Sequence, residues 1–260
     1  ILYNKSMKLG PSEGLFSTHK FEGTPSVNNP HPQKGFLYNG AKNPDLDRFF
    51  LSPSHYALTL YAALIETKRL NDKSLKEFNK DGSVLDMIGS EHSPGHETNG
   101  GSFGQTISQA AGVAWARRRK KEKGLVWLFL SDGEFQEGQT WEALMSMAFH
   151  KISNLKIVVD VNGQQVDGKT CDVMNLEPLL EKISSFGACV KQVDGHDLVA
   201  LNNAFRTIHH DKPLVVLAKT SPFRGMEILE KRYPFLHYVR FKDENEKEEF
   251  KSFLNDMKLR

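Results

Sequence analysis

Residues 125–134 read LVWLFLSDGE, and residues 155–163 read LKIVVDVNG. Each stretch begins with a short apolar run and ends in small, acidic or amide residues. This pattern is typical of a strand buried on both faces of a parallel sheet, followed by a turn. The segment between them, 138–150, repeats apolar residues at helical spacing. Strands that alternate with helices predict βαβ crossovers, so we expect an α/β fold with a parallel sheet and helices on both faces.

The same alternation extends over most of the chain. In the helix predicted at 138–150, Trp141 and Met145 lie on the apolar stripe and are expected to face the core. Residues 1–46 are rich in Gly, Pro, Asn and Ser, which predicts an irregular N-terminal wrapping segment, and residues 47–260 are predicted to form one α/β domain. The predicted helices are 55–70, 106–121, 138–150, 176–186, 198–209 and 243–258, and the predicted strands are 125–130, 155–159, 189–193 and 214–218.

The composition excludes several classes of protein. Hydrophobic residues make up 39% of the 260 residues and charged residues 25%, which is ordinary for a globular chain and excludes wholesale disorder. A net charge of +2 gives no reason to expect nucleic acid or an anionic membrane as a partner. Cys171 and Cys189 form no CxxC pair, and neither a secretory signal pattern nor a membrane-spanning apolar run is present. We therefore expect a cytoplasmic protein.

Polar residues follow two of the predicted strands at the edge where parallel sheets bind ligands. The carboxylate of Asp132, the amide oxygen of Asn162 and a nearby backbone carbonyl could surround a hard divalent cation such as Mg²⁺, which completes its shell with phosphate oxygens and water. Gly133 lacks a Cβ, so a phosphate could approach the backbone there. The alternative is that Asp, Asn and Gly serve only to form turns, and these residues taken alone favour that alternative.

The wider sequence resembles the transketolase family of thiamine-diphosphate enzymes, from about residue 45 onward. The resemblance includes the family's GDG…N cofactor motif, for which this chain has Ser131-Asp132-Gly133 and Asn162. Six segments in the family's order carry it: DRFFLSPSH (47–55), GSFGQTIS (101–108), SDGEFQEGQTWEA (131–143), NLKIVVDVN (154–162), QVDG (165–168) and VDGHD (193–197). The fold that this resemblance implies is the diphosphate-binding (PP) domain.

The resemblance also implies how thiamine diphosphate is bound. Asp132, Asn162 and the backbone carbonyl of Gln164 would hold Mg²⁺, or Ca²⁺, against the diphosphate. The amide of Gly133 would contact the diphosphate directly. The cofactor-binding residues that the resemblance implies are Gly101, Phe103, Asp132, Gly133, Glu134, Asn162 and His55, with Gly101 and Phe103 beside the aminopyrimidine.

Histidines are the implied catalytic residues, and here the sequence departs from the family. His55 would reach the diphosphate or the substrate, and His237 matches a late family histidine near the thiazolium. Ile88 stands where the family's GHPE motif has a histidine, so His92 or His96 is expected to face the substrate instead. The family's N-terminal SGHxGG helix is also missing. Only the short stretch around His19 is weakly similar to it. These departures affect the residues expected to face the substrate more than those expected to bind the cofactor.

The implied reaction is the transfer of a two-carbon ketol unit between sugars or sugar phosphates. Family enzymes have three domains, and this chain matches only the first. It offers no candidate for the glutamate that activates the aminopyrimidine, and it ends in a polar helix. We therefore expect the N-terminal subunit of a split enzyme that requires a separate C-terminal subunit carrying the pyrimidine-binding domain. A heterotetramer is expected, with Glu137 and Glu142 coupling paired sites across a dimer interface.

Two other functions stay open at this stage. One is a different reaction of the same cofactor, such as a condensation of the 1-deoxyxylulose-phosphate-synthase kind or a transfer in a specialised sugar pathway. The other is a non-catalytic partner protein that keeps the fold. The presence of Asp132, Gly133 and Asn162 argues against the non-catalytic alternative, since such a protein has little reason to keep the metal-binding residues.

Overall fold

The computed structural model describes residues 2–12, 20–24 and 26–258, so His19 lies outside the described residues. The strands are β1 (Arg48–Leu51), β2 (Val126–Ser131), β3 (Leu155–Val161), β4 (Gln164–Gln165), β5 (Gly168–Lys169), β6 (Cys189–Asp194) and β7 (Leu214–Lys219). Five of them form a parallel sheet in the order β1-β2-β3-β7-β6, and β4 and β5 form an antiparallel hairpin. The helices are α1 (Ala57–Glu66), α2 (Gln105–Arg119), α3 (Gly138–Phe149), α4 (Thr170–Val173), α5 (Leu179–Ser185), α6 (Leu198–Phe205) and α7 (Glu244–Lys258).

Helices cover both faces of this sheet, as the sequence predicted. Successive residues of a strand point to opposite faces, so Trp127 and Leu128 in β2 enter two different clusters. Leu128 packs with apolar residues of α2, α3 and α5, whereas Trp127 packs with residues of α1 and α6. Because β2 is buried on both faces, it reads as a continuous apolar run.

The structure corrects several predicted boundaries. The edge strand β1 was not predicted, because a run of four residues is too short to show a period. The helix predicted to begin at residue 55 starts as a 3-10 turn, Ser54–Tyr56, and α1 ends at Glu66. The helix predicted at 176–186 begins only after Pro178, and the helix predicted at 198–209 ends at Phe205.

One core prediction on α3 is wrong. Met145 is 53% exposed and Phe149 is 81% exposed, while Leu144 and Met147 are buried against the sheet. Trp141 is half-buried and packs against Phe135 and Phe186. The apolar stripe of α3 is therefore wider than the face that the sheet covers, which leaves part of it exposed.

Outside the sheet, the described part of residues 1–46 contains two short helical turns, Leu2–Ser6 and Gly35–Asn39. Cys171 and Cys189 are both free. Within the described ranges, no helix is both long enough and apolar enough to cross a bilayer.

The register of β2 and β3 decides where the polar turns lie. Ser131, the last residue of β2, is aligned with Asp160 of β3. The turn that begins at Asp132 therefore leaves the sheet beside the turn that contains Asn162. Residues thirty positions apart in sequence become neighbours because the strands are parallel and in register.

Leu128→Ala tests the two-faced core. We expect it to lower the free energy of unfolding by about 2–5 kcal/mol, because Leu128 is fully buried in the central strand and its truncation leaves a cavity. Leu198→Ala is the matched control, since Leu198 is 58% exposed and its truncation should cost no more than about 0.5 kcal/mol. Urea unfolding measures both, and equal losses in the two variants would contradict this account of the core.

Candidate functional site

The turns after β2 and β3 are joined through Asp132. Its Oδ2 accepts a hydrogen bond from the backbone N–H of Gly163 at 2.8 Å, and its Oδ1 accepts one from the backbone N–H of Gly133 at 2.8 Å. The Thr170 hydroxyl also donates to Oδ2, at 3.4 Å. Asn162, which precedes Gly163, accepts a hydrogen bond at its Oδ1 from the backbone N–H of Gln164 at 2.8 Å. The structure thus brings Asp132 and the Asn162 turn together at one edge of the sheet.

Burial governs the electrostatics of Asp132. The residue is only 2% exposed, and this burial raises the pKa of its carboxyl to about 6, although the N–H groups of Gly163 and Gly133 act in the opposite direction. A buried carboxylate that is held by neutral donors keeps an unbalanced negative charge. A cation placed next to it would remove that cost.

The oxygen atoms in this turn suit a hard cation. Asp132 offers a carboxylate, Asn162 an amide oxygen and Gln164 a backbone carbonyl, which is a donor set that Mg²⁺ and Ca²⁺ accept. Among the described residues, Gln164 also has a buried Oε1 without a hydrogen-bond partner. A Cβ on Gly163 would meet nothing within 4 Å, so there is room beside the turn.

In the part of the chain that the structure describes, no group of three or more His, Cys, Asp and Glu side chains is arranged so that it could hold a metal ion. A cation at this edge would therefore depend on amide and carbonyl oxygens, and on oxygens of a bound ligand. Magnesium sites with one or two carboxylates are of this kind and are completed by phosphates and water. The residues present fit such a site, while their role as ligands stays a prediction.

Glu134, predicted among the cofactor-binding residues, lies underneath the turn. It is fully buried, and burial raises its pKa to about 7. Its Oε1 accepts from the backbone N–H of Ser131 at 3.2 Å, and its Oε2 accepts from the hydroxyl of Ser52. Ser52 follows β1, so Glu134 fastens the ends of β1 and β2 to each other. Through these contacts Glu134 stabilises the turn that follows β2.

The structure places two of the predicted site residues, Phe103 and His237, next to His55. The ring centroids of His55 and Phe103 are 5.9 Å apart, and those of His55 and His237 are 5.5 Å apart. Burial lowers the pKa of His55, and the neighbouring His237 lowers it further. His55 is therefore favoured in its neutral form, which can donate at one ring nitrogen and accept at the other.

The glycine-rich loop before α2 lies on the end of β1. Gly101 has a φ of +91° and donates its N–H to the backbone carbonyl of Ser52 at 3.2 Å. A Cβ on Gly100 would come within 2.1 Å of the hydroxyl of Ser54, so only glycine allows this close approach. This packing places Gly101 and Phe103 on the same side of the sheet end as His55.

The two candidate replacement histidines lie in different surroundings. The Nε2 of His92 is 2.7 Å from Oδ2 of Asp86, and its ring packs on Phe21 with centroids 4.3 Å apart. His96 is 1% exposed, and its ring lies against Gly89, where a Cβ would approach within 2.1 Å. His96 is thus enclosed by protein, and of the two His92 is the more accessible to a substrate.

Sequence reasoning missed a polar network beside Asn162. Asp160 accepts hydrogen bonds from Asn162, from Tyr56 and from Thr220. The signal was the alternation at the end of β3, because residues 160 and 162 point to the same face of an extended strand. Tyr56 and Thr220 belong to other segments, and nothing in the sequence indicated that they meet there.

The family comparison agrees with this geometry. Residues 35–226 match the family described as transketolase, thiamine diphosphate binding domain. The chain therefore belongs to the transketolase family, as its motifs predicted, and the matched domain is one that binds thiamine diphosphate.

Several curated relatives are similar over most of their own length. The uncharacterized transketolase family protein y4mO of Sinorhizobium fredii is 43% identical over 72% of this chain and 68% of its own. One of the subunits of the apulose-4-phosphate transketolase of Actinobacillus succinogenes is 32% identical over 78% of this chain and 75% of its own. The 6-deoxy-6-sulfo-D-fructose transketolase subunit SqwG of a Clostridium species is 32% identical over 72% and 69%.

Solved transketolases share the fold but are much longer. A transketolase from Pichia stipitis in complex with xylulose 5-phosphate superposes with a TM-score of 0.65 at 26% identity, covering 72% of this chain and 30% of that one. The enzyme from Campylobacter jejuni gives a TM-score of 0.62 at 22% identity, which supports the fold alone. This chain therefore spans about three tenths of the Pichia enzyme.

The burial of His96 predicts a pH dependence of stability. Burial lowers its pKa from 6.5 to about 4, so between these values the unfolded chain binds a proton that the folded chain does not. Stability should therefore fall as the pH drops from about 6.5 towards 4, by on the order of 3 kcal/mol from this residue. His96→Gln removes the titrating group, and urea unfolding between pH 4 and 7 should show a flatter dependence.

His31→Gln is the control, because His31 is an exposed histidine, and it should keep the slope of the parent chain. An unchanged slope in His96→Gln would show that His96 is not held neutral by its burial.

Proposed function

We propose that this chain is the N-terminal subunit of a thiamine-diphosphate- and magnesium-dependent transketolase-like enzyme. In this proposal it transfers a two-carbon ketol unit between sugar phosphates, and it is active only with a separate subunit that carries the pyrimidine-binding domain. The observation that carries the proposal is the Asp132–Gly163 hydrogen bond, which sets one carboxylate, one amide and one backbone carbonyl around a single turn.

Each residue of the site has a definite task under this proposal. Asp132, Asn162 and the Gln164 carbonyl would hold the cation, which would offset the negative charge of the diphosphate. Thiamine diphosphate, when bound, supplies the carbon nucleophile and the electron sink for breaking and forming the carbon–carbon bond. His55 lies beside Phe103 of the Gly101 loop, with His237 next to it, and in this proposal the two histidines would supply hydrogen bonds to the oxygens of the substrate. His92 is the candidate for the position that lacks the family histidine.

Two relatives support the substrate class. One is named for apulose 4-phosphate and another for 6-deoxy-6-sulfofructose, and both compounds are ketoses or ketose derivatives with an anionic group. We infer that the substrate here is also a ketose with a terminal phosphate or a group of similar charge. The two free cysteines suit a reducing compartment, so we place the protein in the cytoplasm.

The names of the relatives also support a two-component enzyme, since both are subunits. The domain matched here is one that binds thiamine diphosphate, and most of the longer Pichia stipitis enzyme lies outside the matched part. In our proposal the pyrimidine-binding domain is on the separate partner. In our proposal the partner closes the cofactor site from the side of His55 and His237. Two copies of each chain then form a heterotetramer.

An exposed apolar face supports contact between two copies of this chain. Trp115 on α2 is 46% exposed, and Met145 and Phe149 on α3 are more exposed still. Glu137 and Glu142 are exposed on the same helical region, where the family resemblance places acidic residues at a dimer interface. Covering this face would bury apolar side chains that the sheet does not reach.

Asp132→Asn tests the metal site. It keeps the size of the side chain and one oxygen but removes the charge, so Mg²⁺-dependent binding of thiamine diphosphate should weaken by at least about a hundredfold. Isothermal titration calorimetry with and without Mg²⁺ measures this. Asp194→Asn, at the exposed end of β6, is the matched control and should bind as the parent does. Equal affinities in Asp132→Asn and the parent would remove the proposed cation from this turn.

Mixing the two chains tests the two-component proposal. The purified chain alone should bind thiamine diphosphate weakly and show no transfer of a ketol unit from a ketose phosphate, because the groups that face the aminopyrimidine are on the partner. Adding the co-purifying C-terminal subunit should restore tight binding and turnover in a coupled assay. Robust turnover by the isolated chain would contradict this part of the proposal.

A further inference from the structure

The side chain of Asn162 is held in one orientation by its neighbours. Its Nδ2 donates to Oδ2 of Asp160 at 2.9 Å and to the hydroxyl of Tyr56 at 3.0 Å. Both partners of the amide nitrogen therefore lie on one side of the carboxamide. The amide oxygen is on the other side, where it accepts the N–H of Gln164 and has a second lone pair to offer.

Asp160 decides which way round the carboxamide lies. A carboxylate accepts hydrogen bonds and cannot donate them, so it pairs with the NH₂ end of Asn162 and repels the oxygen end. If the amide turned over, its oxygen would face the oxygens of Asp160, and its NH₂ group would face the proposed cation. Both contacts would be unfavourable, since a cation binds oxygen and is repelled by an N–H donor.

Asp160 is itself fixed by two further segments. Its Oδ1 accepts the hydroxyl of Thr220, which follows β7, and its Oδ2 accepts the hydroxyl of Tyr56 at 3.0 Å. Tyr56 is half-buried, and its hydroxyl donates to Asp160 while it accepts from Nδ2 of Asn162. The carboxylate therefore has little freedom to rotate away from Asn162.

Tyr56 also links this network to the reacting side of the site. It follows His55 directly in the chain, and the two rings contact edge to face with centroids 4.7 Å apart. The same hydroxyl that touches Asp160 and Asn162 thus helps to fix the segment that carries His55. The segments that follow β1 and β7 therefore both reach the carboxylate of Asp160 near the end of β3.

We propose that Asp160 is a positioning residue that locks the carboxamide of Asn162 with its oxygen towards the cation, and that Tyr56 and Thr220 hold Asp160 in place. This inference rests on the proposed function, because Asn162 needs a fixed orientation only if it is a metal ligand. Asp160, Tyr56 and Thr220 are not among the site residues that the sequence predicted.

The orientation can be tested without metal or cofactor. In the full 260-residue chain labelled with ¹⁵N-asparagine, the Asn162 carboxamide protons should exchange slowly with solvent, since the amide nitrogen donates to Asp160 and Tyr56. Asp160→Asn should speed this exchange markedly, whereas Asp194→Asn, at the end of β6, should leave it unchanged. Rapid exchange in the parent chain would overturn the lock.

The consequence for the cation is tested by Mg²⁺ titration in the presence of excess thiamine diphosphate. Asp160→Asn should weaken Mg²⁺ binding by about ten- to hundredfold, as loss of the groups that orient a ligand does. Tyr56→Phe removes only one hydroxyl and should produce a smaller loss in the same direction. Thermal unfolding of each variant checks that the fold is kept.

A swap of the two side chains separates orientation from general structural support. In Asp160→Asn/Asn162→Asp the amide at 160 donates to one oxygen of the carboxylate at 162, which leaves the other oxygen for the cation at unchanged net charge. The swap should recover most of the Mg²⁺ affinity that Asp160→Asn loses. Failure of the swap to recover it, or parental affinity in Asp160→Asn, would overturn the inference.

The two measurements together distinguish this inference from the proposed function. A parent chain with slowly exchanging Asn162 protons that binds no Mg²⁺ with thiamine diphosphate would refute the metal site itself, and with it the purpose of the lock. A parent chain that binds Mg²⁺ normally while its Asn162 protons exchange rapidly would refute the lock alone.

Discussion

The candidate site depends on one hydrogen bond, from the backbone N–H of Gly163 to Oδ2 of Asp132 over 2.8 Å. Parallel register brings the ends of β2 and β3 to the same edge, and this bond joins the turns that follow them. Hydrogen bonds to a charged acceptor are roughly twice as strong as neutral ones. Since Asp132 is almost completely buried, the bonds from Gly163 and Gly133 replace the water that the carboxylate has lost.

Three acidic side chains stabilise this edge of the sheet, and each connects a different set of segments. Asp132 joins the turns after β2 and β3, Glu134 joins the end of β2 to Ser52 after β1, and Asp160 receives Tyr56 and Thr220 from two further segments. Each carboxylate connects segments that are distant in sequence. The carboxyl edge of the sheet is therefore a preorganised platform, on which side chains are fixed before any ligand arrives.

The sequence alone was sufficient to predict those parts of the fold that follow from the local spacing of apolar residues. The apolar runs before Asp132 and Asn162 predicted neighbouring parallel strands, and the motifs predicted the family. Periodicity could not tell which apolar residues of α3 face the sheet, because Met145 and Phe149 continue the stripe onto an exposed surface. It also could not place Tyr56 beside Asp160, since that contact spans more than a hundred residues and depends on how β1 and β3 are arranged in the sheet.

In our proposal Asp132 and Asn162 coordinate the same cation. Crystals of the complex with its partner chain, grown with thiamine diphosphate and Mn²⁺ in place of Mg²⁺, would test it through anomalous scattering. The account predicts one strong peak between the carboxylate of Asp132 and the amide oxygen of Asn162, within coordination distance of both. A peak elsewhere, or a bound diphosphate with no cation at this turn, would contradict it.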